Sequence, residues 1–419
     1  MERKKRALVI TVGTGTRKDT YIVRPLMKSV EESAPDFLVL VATEKSRKFA
    51  EKIALDSGYD EKTSVVHLLK DPDDFQSVFL EMNGLFTSLQ ARGFSGADVQ
   101  VDFTSGTKAM SGGAVMSATH NQCRSIKYIT GTRRDGVVVD GTEKFISIRP
   151  DQVFWLRDLR LAEELICHLR FGPAEDVLKK IPDEALPADE RQVFGNLRTI
   201  AQAYHAWDLF DHGNAWKKLR SLPSNLGRLE YLRPREGGLE ILERLSGGKS
   251  EEHLGEAQLL DLYNNAVRRR LEERYDDAVA RLYRAVELYA QCILMKKFEI
   301  DTGDVDLSRV PAALRDRFAL YRDRRDDRIR IGQHKGYELL HALGNRAGIR
   351  FLEDVSLQGR LRERNQSILA HGTKPMSRNV FDQMRQSVLE LFRIEFQDFA
   401  AKARDTQFPW LSRRSLTTE

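Results

Sequence analysis

Short apolar runs punctuate the first 150 residues and then stop, and that change restricts the chain to a two-part architecture. Ala7 to Val12, Phe37 to Thr43, Ser64 to Leu69, Val99 to Phe103 and Ser125 to Thr130 each have the length of a strand. Amphipathic stretches fill the gaps, notably Asp73 to Arg92 and Thr107 to His120. This alternation predicts a parallel sheet covered by helices, a Rossmann-like α/β arrangement. A late hairpin through Val137 to Val139 and Phe145 to Ile148 is expected to follow. Beyond Arg149-Pro150 the pattern is helical throughout, so the fold class is α/β plus all-α.

The stretch 156 to 245 carries spaced aromatic residues, Tyr204, Trp207, Phe210 and Trp216, and reads as stacked helical hairpins without a clean repeat. Trp155, Trp207 and Trp216 are expected to pack rather than to stack on bases. The segment Ser246-Gly247-Gly248-Lys249-Ser250 reads as a loop. Three regions follow: residues 1–150, a helical connector 151–250, and a C-terminal helical region 251–419. In the last, a strong helix is expected from Glu256 to Lys297 and further helices at Tyr337 to Asn345, Leu357 to His371 and Arg378 to Arg404, packed as an antiparallel bundle. Between them Arg315 to Arg330 alternates Arg with Asp, as a solvated helix that neutralises itself would.

With 67 Lys and Arg against 62 Asp and Glu, the formal charge is +5, which permits an anionic partner without demanding one. Cys123, Cys167 and Cys292 are far apart and form no C-x-x-C pair, against both a disulfide framework and a zinc site. The histidines show no metal-ligand spacing, so no metal is expected. The run from Ala7 to Val12 is too short for a signal peptide, and no stretch approaches the ~20 apolar residues of a membrane span. A cytoplasmic protein without membrane contact is expected.

Two loops at strand ends suit phosphate. Val12-Gly13-Thr14-Gly15-Thr16 follows the first strand, where glycines let backbone N–H groups approach an anion. Lys18 stands where G-x-G-x-x-G would place its third glycine, so a dehydrogenase is poorly supported. The second loop, Asp102-Phe103-Thr104-Ser105-Gly106-Thr107-Lys108-Ala109-Met110, runs from a strand into a helix and offers hydroxyls, orphan N–H groups and the Lys108 charge. The same residues equally suit plain helix capping by Ser105 or Thr107.

This pair of loops resembles the CRISPR-associated Rossmann-fold (CARF) domain over the first 150 residues or so. Members of that family bind cyclic oligoadenylate messengers across a dimer interface, and some slowly cut them. The resemblance implies a pocket with Gly13, Thr14, Gly15 and Thr16 on one wall and Thr104, Ser105, Gly106, Thr107 and Lys108 on the other. Cyclic tetra-adenylate is the expected activator.

Near the C-terminus, six residues separate Arg364 from His371 in Arg364-Asn365-Gln366-Ser367-Ile368-Leu369-Ala370-His371-Gly372. On a continuous helix seven steps advance about 700 degrees, returning Arg364 and His371 to one face roughly 10 Å apart. Gly372 and Pro375 suggest a helix end that sets His371 in the negative field of its C-terminus. A histidine exchanges protons near neutral pH and an arginine binds phosphate bidentately, which together suit cleavage of RNA by its own 2'-hydroxyl. An Arg and His at this spacing also occur as a surface residue and a cap.

The R-N-x5-H-G stretch resembles the active motif of HEPN ribonucleases, and Tyr275 to Glu287 looks like the opening helix of such a domain. There Ala278, Leu282, Ala285 and Tyr289 fall on a core stripe, while Arg281, Arg284 and Glu287 read as surface or intrahelical pairs. CARF followed by HEPN is the order of the stand-alone effectors of type III CRISPR systems. That resemblance implies a homodimeric endoribonuclease that cuts single-stranded RNA without a metal, linked to the CRISPR complex through its messenger. Arg364 would hold the scissile phosphate, His371 move the proton and Asn365 position one of them. Two alternatives remain: an N-terminal domain that degrades its own messenger, and a non-catalytic sensor or adaptor.

Overall fold

All six residues of strand β1 (Ala7–Val12) are buried, and they alternate between two apolar layers. Ala7 and Val9 pack with Val39, Val41, Val78, Met82 and Ala114. Leu8, Ile10 and Val12 pack with Leu38, Leu40, Val23, Leu26 and Ile53. A strand covered on both faces buries both alternating sets of side chains, which is why the run does not alternate in sequence. The computed structural model describes residues 5–15, 23–134, 137–139, 141–183, 186–247, 255–370 and 372–414. Thr16 and His371 lie outside them.

The chain divides into two compact units, Met1–Asp158 with Ile181–Pro187, and Leu159–Lys180 with Ala188–Glu419. In the first, β1 is joined by β2 (Phe37–Ala42), β3 (Ser64–Leu68), β4 (Val99–Asp102), β5 (Ser125–Thr130), the short β6 (Arg133–Arg134) and β7 (Val137–Val138), and β8 (Lys144–Ile148). A six-stranded sheet runs in the order β3-β2-β1-β4-β5-β8. Its first five strands are parallel, and β8 is antiparallel to β5. Helices α1 (Val23–Ser33), α2 (Arg47–Asp56), α3 (Phe75–Ala91) and α4 (Lys108–His120) complete the α/β layers. Chain order reverses at β1, which has β2 on one side and β4 on the other. The loops leaving the carboxyl ends of β1 and β4 meet at this switch point, the place where open α/β sheets take their ligands.

The expected late hairpin is corrected. Val137–Val138 pairs with Arg133–Arg134, whereas Lys144–Ile148 pairs with β5 through five registered positions, from Ile126 opposite Ile148 to Thr130 opposite Lys144. An apolar sheet edge gives Phe145, Ile146 and Ile148 more to bury than a two-residue ribbon does.

The helices that follow are α5 (Asp151–Cys167), α6 (Phe171–Lys179), α7 (Arg191–Asp208), α8 (His212–Arg220), α9 (Glu236–Ser246), α10 (Glu256–Leu271), α11 (Tyr275–Phe298), α12 (Ala312–Ala319), α13 (Gln333–Ala342), α14 (Arg346–Glu353), α15 (Val355–Asn365), α16 (Arg378–Phe392), α17 (Phe399–Asp405) and α18 (Pro409–Arg414). The division between the two units falls within α5. Tyr204 and Trp207 stack in α7, and Phe408 and Trp410 meet Tyr204 edge-on, so these aromatic residues are core. A larger core joins Leu282 and Tyr289 of α11 to Tyr337, Phe351 and Phe392.

Several expected helices are shorter than the sequence suggests. Glu256 to Lys297 is two helices, because Glu273 turns left-handed at φ +61°. Arg274 N donates to Arg269 O at 2.9 Å and Glu273 N to Arg270 O at 3.0 Å, the paired bonds of a Schellman stop. Tyr337 to Asn345 is likewise the end of α13, a left-handed Gly344 and the cap of α14. Arg378 to Arg404 breaks after Phe392, and the turn lays the Phe399 ring 5.1 Å from that of Phe392. The Arg and Asp stretch is helical only to Ala319. Its pairs, Arg322 with Asp327 and Arg330 with Asp323 and Asp326, form across a bridged turn instead.

No helix among the described residues is long and apolar enough to cross a membrane.

Candidate functional site

Thr11 is the one polar residue of β1, fully buried, and its hydroxyl donates to the carbonyl of Ser105 in the loop after β4. The bond ties two loops at the switch point. Gly13 N donates to Ser105 Oγ at 2.9 Å, so the serine hydroxyl braces the first loop from the second. A Cβ on Gly13 would lie 2.7 Å from Gly106 N and 2.8 Å from Gly106 Cα. Only glycine permits that contact, and Gly106 itself sits at φ +122°.

Asp102, buried at the end of β4, shapes the rest of the loop. One carboxylate oxygen accepts from Thr104 N at 2.8 Å and from the Thr104 hydroxyl, and the other accepts from Ser29 of α1. Thr104 Oγ1 in turn accepts from Ile129 N at 2.9 Å. Lys127, beside Asp102 in the β4 and β5 register, is 3% exposed and donates to Ser29 O at 3.0 Å and to Ser33. A buried carboxylate and a buried ammonium therefore anchor to the same helical residue, each with satisfied partners.

The sequence brings Gly13, Ser105 and Gly106 together, but three hydroxyls expected to face a ligand are committed to the protein. Thr107 caps α4, accepting from Met110 N at 3.1 Å and donating to Pro72 O at 2.6 Å. Ser105 and Thr104 hold backbone as described. Thr14, Gly15, Gly106 and Lys108 are exposed around the N-terminus of α4, where helix N–H groups and the lysine charge favour an anion. Thr16 lies outside the described residues. Thr11 and Asp102 were not among the expected site residues. An isolated threonine in an apolar strand and an aspartate at a strand end were the signals available.

The second constellation corrects its own geometry. Helix α15 stops at Asn365, and Gln366 and Ser367 turn back with bonds to Glu363 O and Arg364 O, both at 2.9 Å. Ser367 then bridges Lys374 in a parallel pair. Arg364 thus lies in the last turn of α15, and the expected helix does not continue through Ala370. Turn bonds from Ser367 N to Arg364 O and from Ala370 N to Ser367 O, with the bridge to Lys374, replace the helical ladder here and end the helix early. Ala370 N and Gly372 N both donate to Ser367 O, at 3.0 and 3.1 Å, so the residues flanking position 371 are closed onto one carbonyl. His371 itself lies outside the described residues.

Arg364, in the last turn of α15, lies with its Cζ 4.5 Å from the Tyr283 ring centroid and donates to Asn365 Oδ1 at 3.3 Å. No carboxylate among the described residues pairs with it. Asp276, at the start of α11, accepts from Met376 N at 3.3 Å and fixes the far end of the loop. Nearby, Arg284 pairs with Glu287 and Arg281 with Asp277, intrahelical pairs as expected. Ala278, Leu282, Ala285 and Tyr289 are core. Tyr283 and Asp276 were missed, since both lie off the apolar stripe of α11 and nothing local distinguishes them.

The family model described as the Csm6 HEPN domain matches residues 250–395, and the Csm6 6H domain matches residues 154–241. Among solved structures, Enterococcus italicus Csm6 bound to cyclic hexa-2'-fluoro-hexa-dAMP aligns with a TM-score of 0.57 at 12% identity, over 98% of this chain and 100% of that one. The fold is therefore shared along almost the whole length. Can2 from Sulfobacillus thermosulfidooxidans in complex with cyclic tetra-adenylate aligns over 49% of this chain and 67% of that one at 11% identity, with a TM-score of 0.24, too low to bear on the fold. No curated protein matches in sequence.

Proposed function

The chain belongs to the Csm6 family of CARF–HEPN effectors, and from that premise we propose that it is a cyclic oligoadenylate-activated, metal-independent endoribonuclease of type III CRISPR defence. The observation that carries the reading is the span of the HEPN match, 250–395, which contains Arg364, Asn365 and His371. Residues 1–150 form the CARF domain, 151–250 the connector and 251–419 the nuclease, acting as a cytoplasmic homodimer.

Messenger binds at the crevice between the β1 and β4 loops. Gly13, Thr14, Gly15 and Thr16 form one wall and Thr104 to Lys108 the other, with Lys108 and the α4 N-terminus meeting phosphate. The Enterococcus relative was solved with a cyclic adenylate analogue, which supports this class of ligand. The engaged hydroxyls of Thr104, Ser105 and Thr107 favour a binding role over messenger cleavage.

In the nuclease, His371 accepts the proton of a ribose 2'-hydroxyl as its oxygen attacks phosphorus. The bond to the 5'-oxygen breaks, that oxygen takes a proton from a histidinium of the site, and a 2',3'-cyclic phosphate and a 5'-hydroxyl remain. Arg364 offsets charge on the phosphoryl oxygens, and Asn365 orients the guanidinium. Base, acid and cation are all side chains, so the chemistry calls for no metal. A two-fold pair of such sites supplies two arginines and two histidines to one cleft. Messenger activates only if it binds one dimer arrangement more tightly than the other.

The test is cleavage of a fluorogenic single-stranded RNA in chelator, with and without cyclic tetra- or hexa-adenylate, by the natural protein and His371→Ala. Cleavage that requires one messenger and falls by roughly 10²-fold or more in the variant is expected. Absence of cleavage with either messenger overturns the activated-nuclease reading. Cleavage undiminished in the variant overturns the assignment of His371.

A further inference from the structure

Arg364 is held by an aromatic face where other arginines of the same helical unit are held by acids. Arg281 pairs with Asp277, Arg350 with Glu390 and Arg378 with Asp382, whereas the Arg364 guanidinium rests 4.5 Å from the Tyr283 ring centroid. Among the described residues its buried Nε has no hydrogen-bond partner, and its one hydrogen bond goes from Nη1 to Asn365. Tyr283 is itself fixed in α11: it packs partly buried against the core, and its carbonyl accepts from Gln333 Nε2 at 3.2 Å.

An acid partner would orient a guanidinium and neutralise it at the same time. A ring face orients it by the quadrupole while leaving its charge and its edge donors for an anion. We propose that Tyr283 is a positioning residue for RNA cleavage, its ring holding Arg364 at the end of α15 without a carboxylate to neutralise it, so that the guanidinium charge serves the scissile phosphate. The inference rests on the proposed role of Arg364. The ring never meets the reacting atoms, so its loss misaligns the cation for the transition state while RNA is still bound.

Steady-state cleavage of labelled RNA by the full-length, messenger-loaded protein tests this in Tyr283→Leu and Tyr283→Phe. Tyr283→Leu is expected to lower kcat at least tenfold with KM changed less than threefold. Tyr283→Phe keeps the ring face and should recover most of the rate. Equal loss in both variants, or no loss in Tyr283→Leu, overturns the proposal. A structural role is separated by repeating Tyr283→Leu in an Arg364→Ala background, its residual rate read by gel over hours. Less than twofold further loss is expected there, and a further tenfold loss overturns the proposal. If Arg364→Ala alone cleaves at the natural rate, the role of Arg364 has failed, a result distinct from failure of the ring. Messenger affinity and circular dichroism, unchanged in all four variants, show that the fold is intact.

Discussion

Gly372 approaches Gln366 so closely that a Cβ on the glycine would stand 1.8 Å from the Gln366 carbonyl oxygen. The contact closes the loop that carries position 371, with Gly372 N on Ser367 O and Lys374 N on Gln366 O at 3.3 Å. Gly372→Ala must force this loop open, since the atom in the way is backbone. RNA cleavage is expected to fall at least tenfold, on the order of 1.4 kcal/mol of barrier or more, with messenger binding and overall fold retained. Measuring activated cleavage beside calorimetric messenger affinity checks this, and an unchanged rate would separate loop geometry from catalysis.

At the other end of the chain, Gly13→Ala collides with Gly106 in the same way, 2.7 Å from its nitrogen. Relieving the clash pushes the two loops apart and strains the Gly13 N to Ser105 Oγ bond. Overpacking of this kind costs about 1–3 kcal/mol. If the crevice is the messenger site, affinity for cyclic oligoadenylate drops by about tenfold or more. Calorimetric titration reads this directly, and natural affinity in the variant would move the site elsewhere.

The sheet was legible because β1 and β2 are apolar over strand length but for Thr11, a pattern set by burial on both faces, and because Gly, Ser and Thr follow β1 and β4. The helical half was legible in content but not in punctuation. Leu169, Phe210 and Glu273 adopt left-handed φ of 62°, 64° and 61° at helix ends, where glycine would have announced the stop. The same blindness affected the nuclease motif. Spacing from Arg364 to His371 suits a helix, yet turn bonds and a bridge between Ser367 and Lys374, which no local signal encodes, end α15 at Asn365. In the nucleotide loops the sequence left capping and ligand binding open for Ser105 and Thr107. Thr107 caps α4, whereas Ser105 braces Gly13 in the other loop, which only tertiary contacts decide.

Thiol reactivity tests both cores. Burial pushes the Cys123 thiol up to about 12 and the Cys292 thiol up to about 11, so at pH 8 neither carries an appreciable thiolate. Cys167 is only half-buried. Titration of the native protein with a thiol-exchange reagent is expected to consume one equivalent at most within minutes, and three in denaturant. Rapid reaction of Cys292 would mean that the core around α11 opens readily.

Asp208, at the end of α7, faces two buried guanidinium groups on α10. Arg268 Nε reaches Asp208 Oδ1 at 2.7 Å, Arg269 bonds the other oxygen, and Asn265 donates to the Asp208 carbonyl at 2.9 Å. Arg268 is fully buried, lies 4.0 Å from the Phe408 ring centroid and donates to Gln407 Oε1 at 3.0 Å. Asp261 stands 3.8 Å from Arg268 but also accepts from Trp207 and contacts His212, so it cannot take over both cations. Asp208→Ala would leave fully buried Arg268 with only Asp261 at 3.8 Å, while Arg269 keeps Glu272 at 2.9 Å, and removal of one partner from such a buried pair costs on the order of 3–5 kcal/mol. Asp208→Asn keeps an acceptor without the charge and should fall between that variant and the natural protein. Urea unfolding followed by tryptophan fluorescence reports on this region directly, because Trp207 and Trp410 lie in the adjoining aromatic cluster. A loss below about 1 kcal/mol in Asp208→Ala would show that water or Asp261 replaces the lost carboxylate, and that the α7 and α10 contact rests on its apolar residues alone.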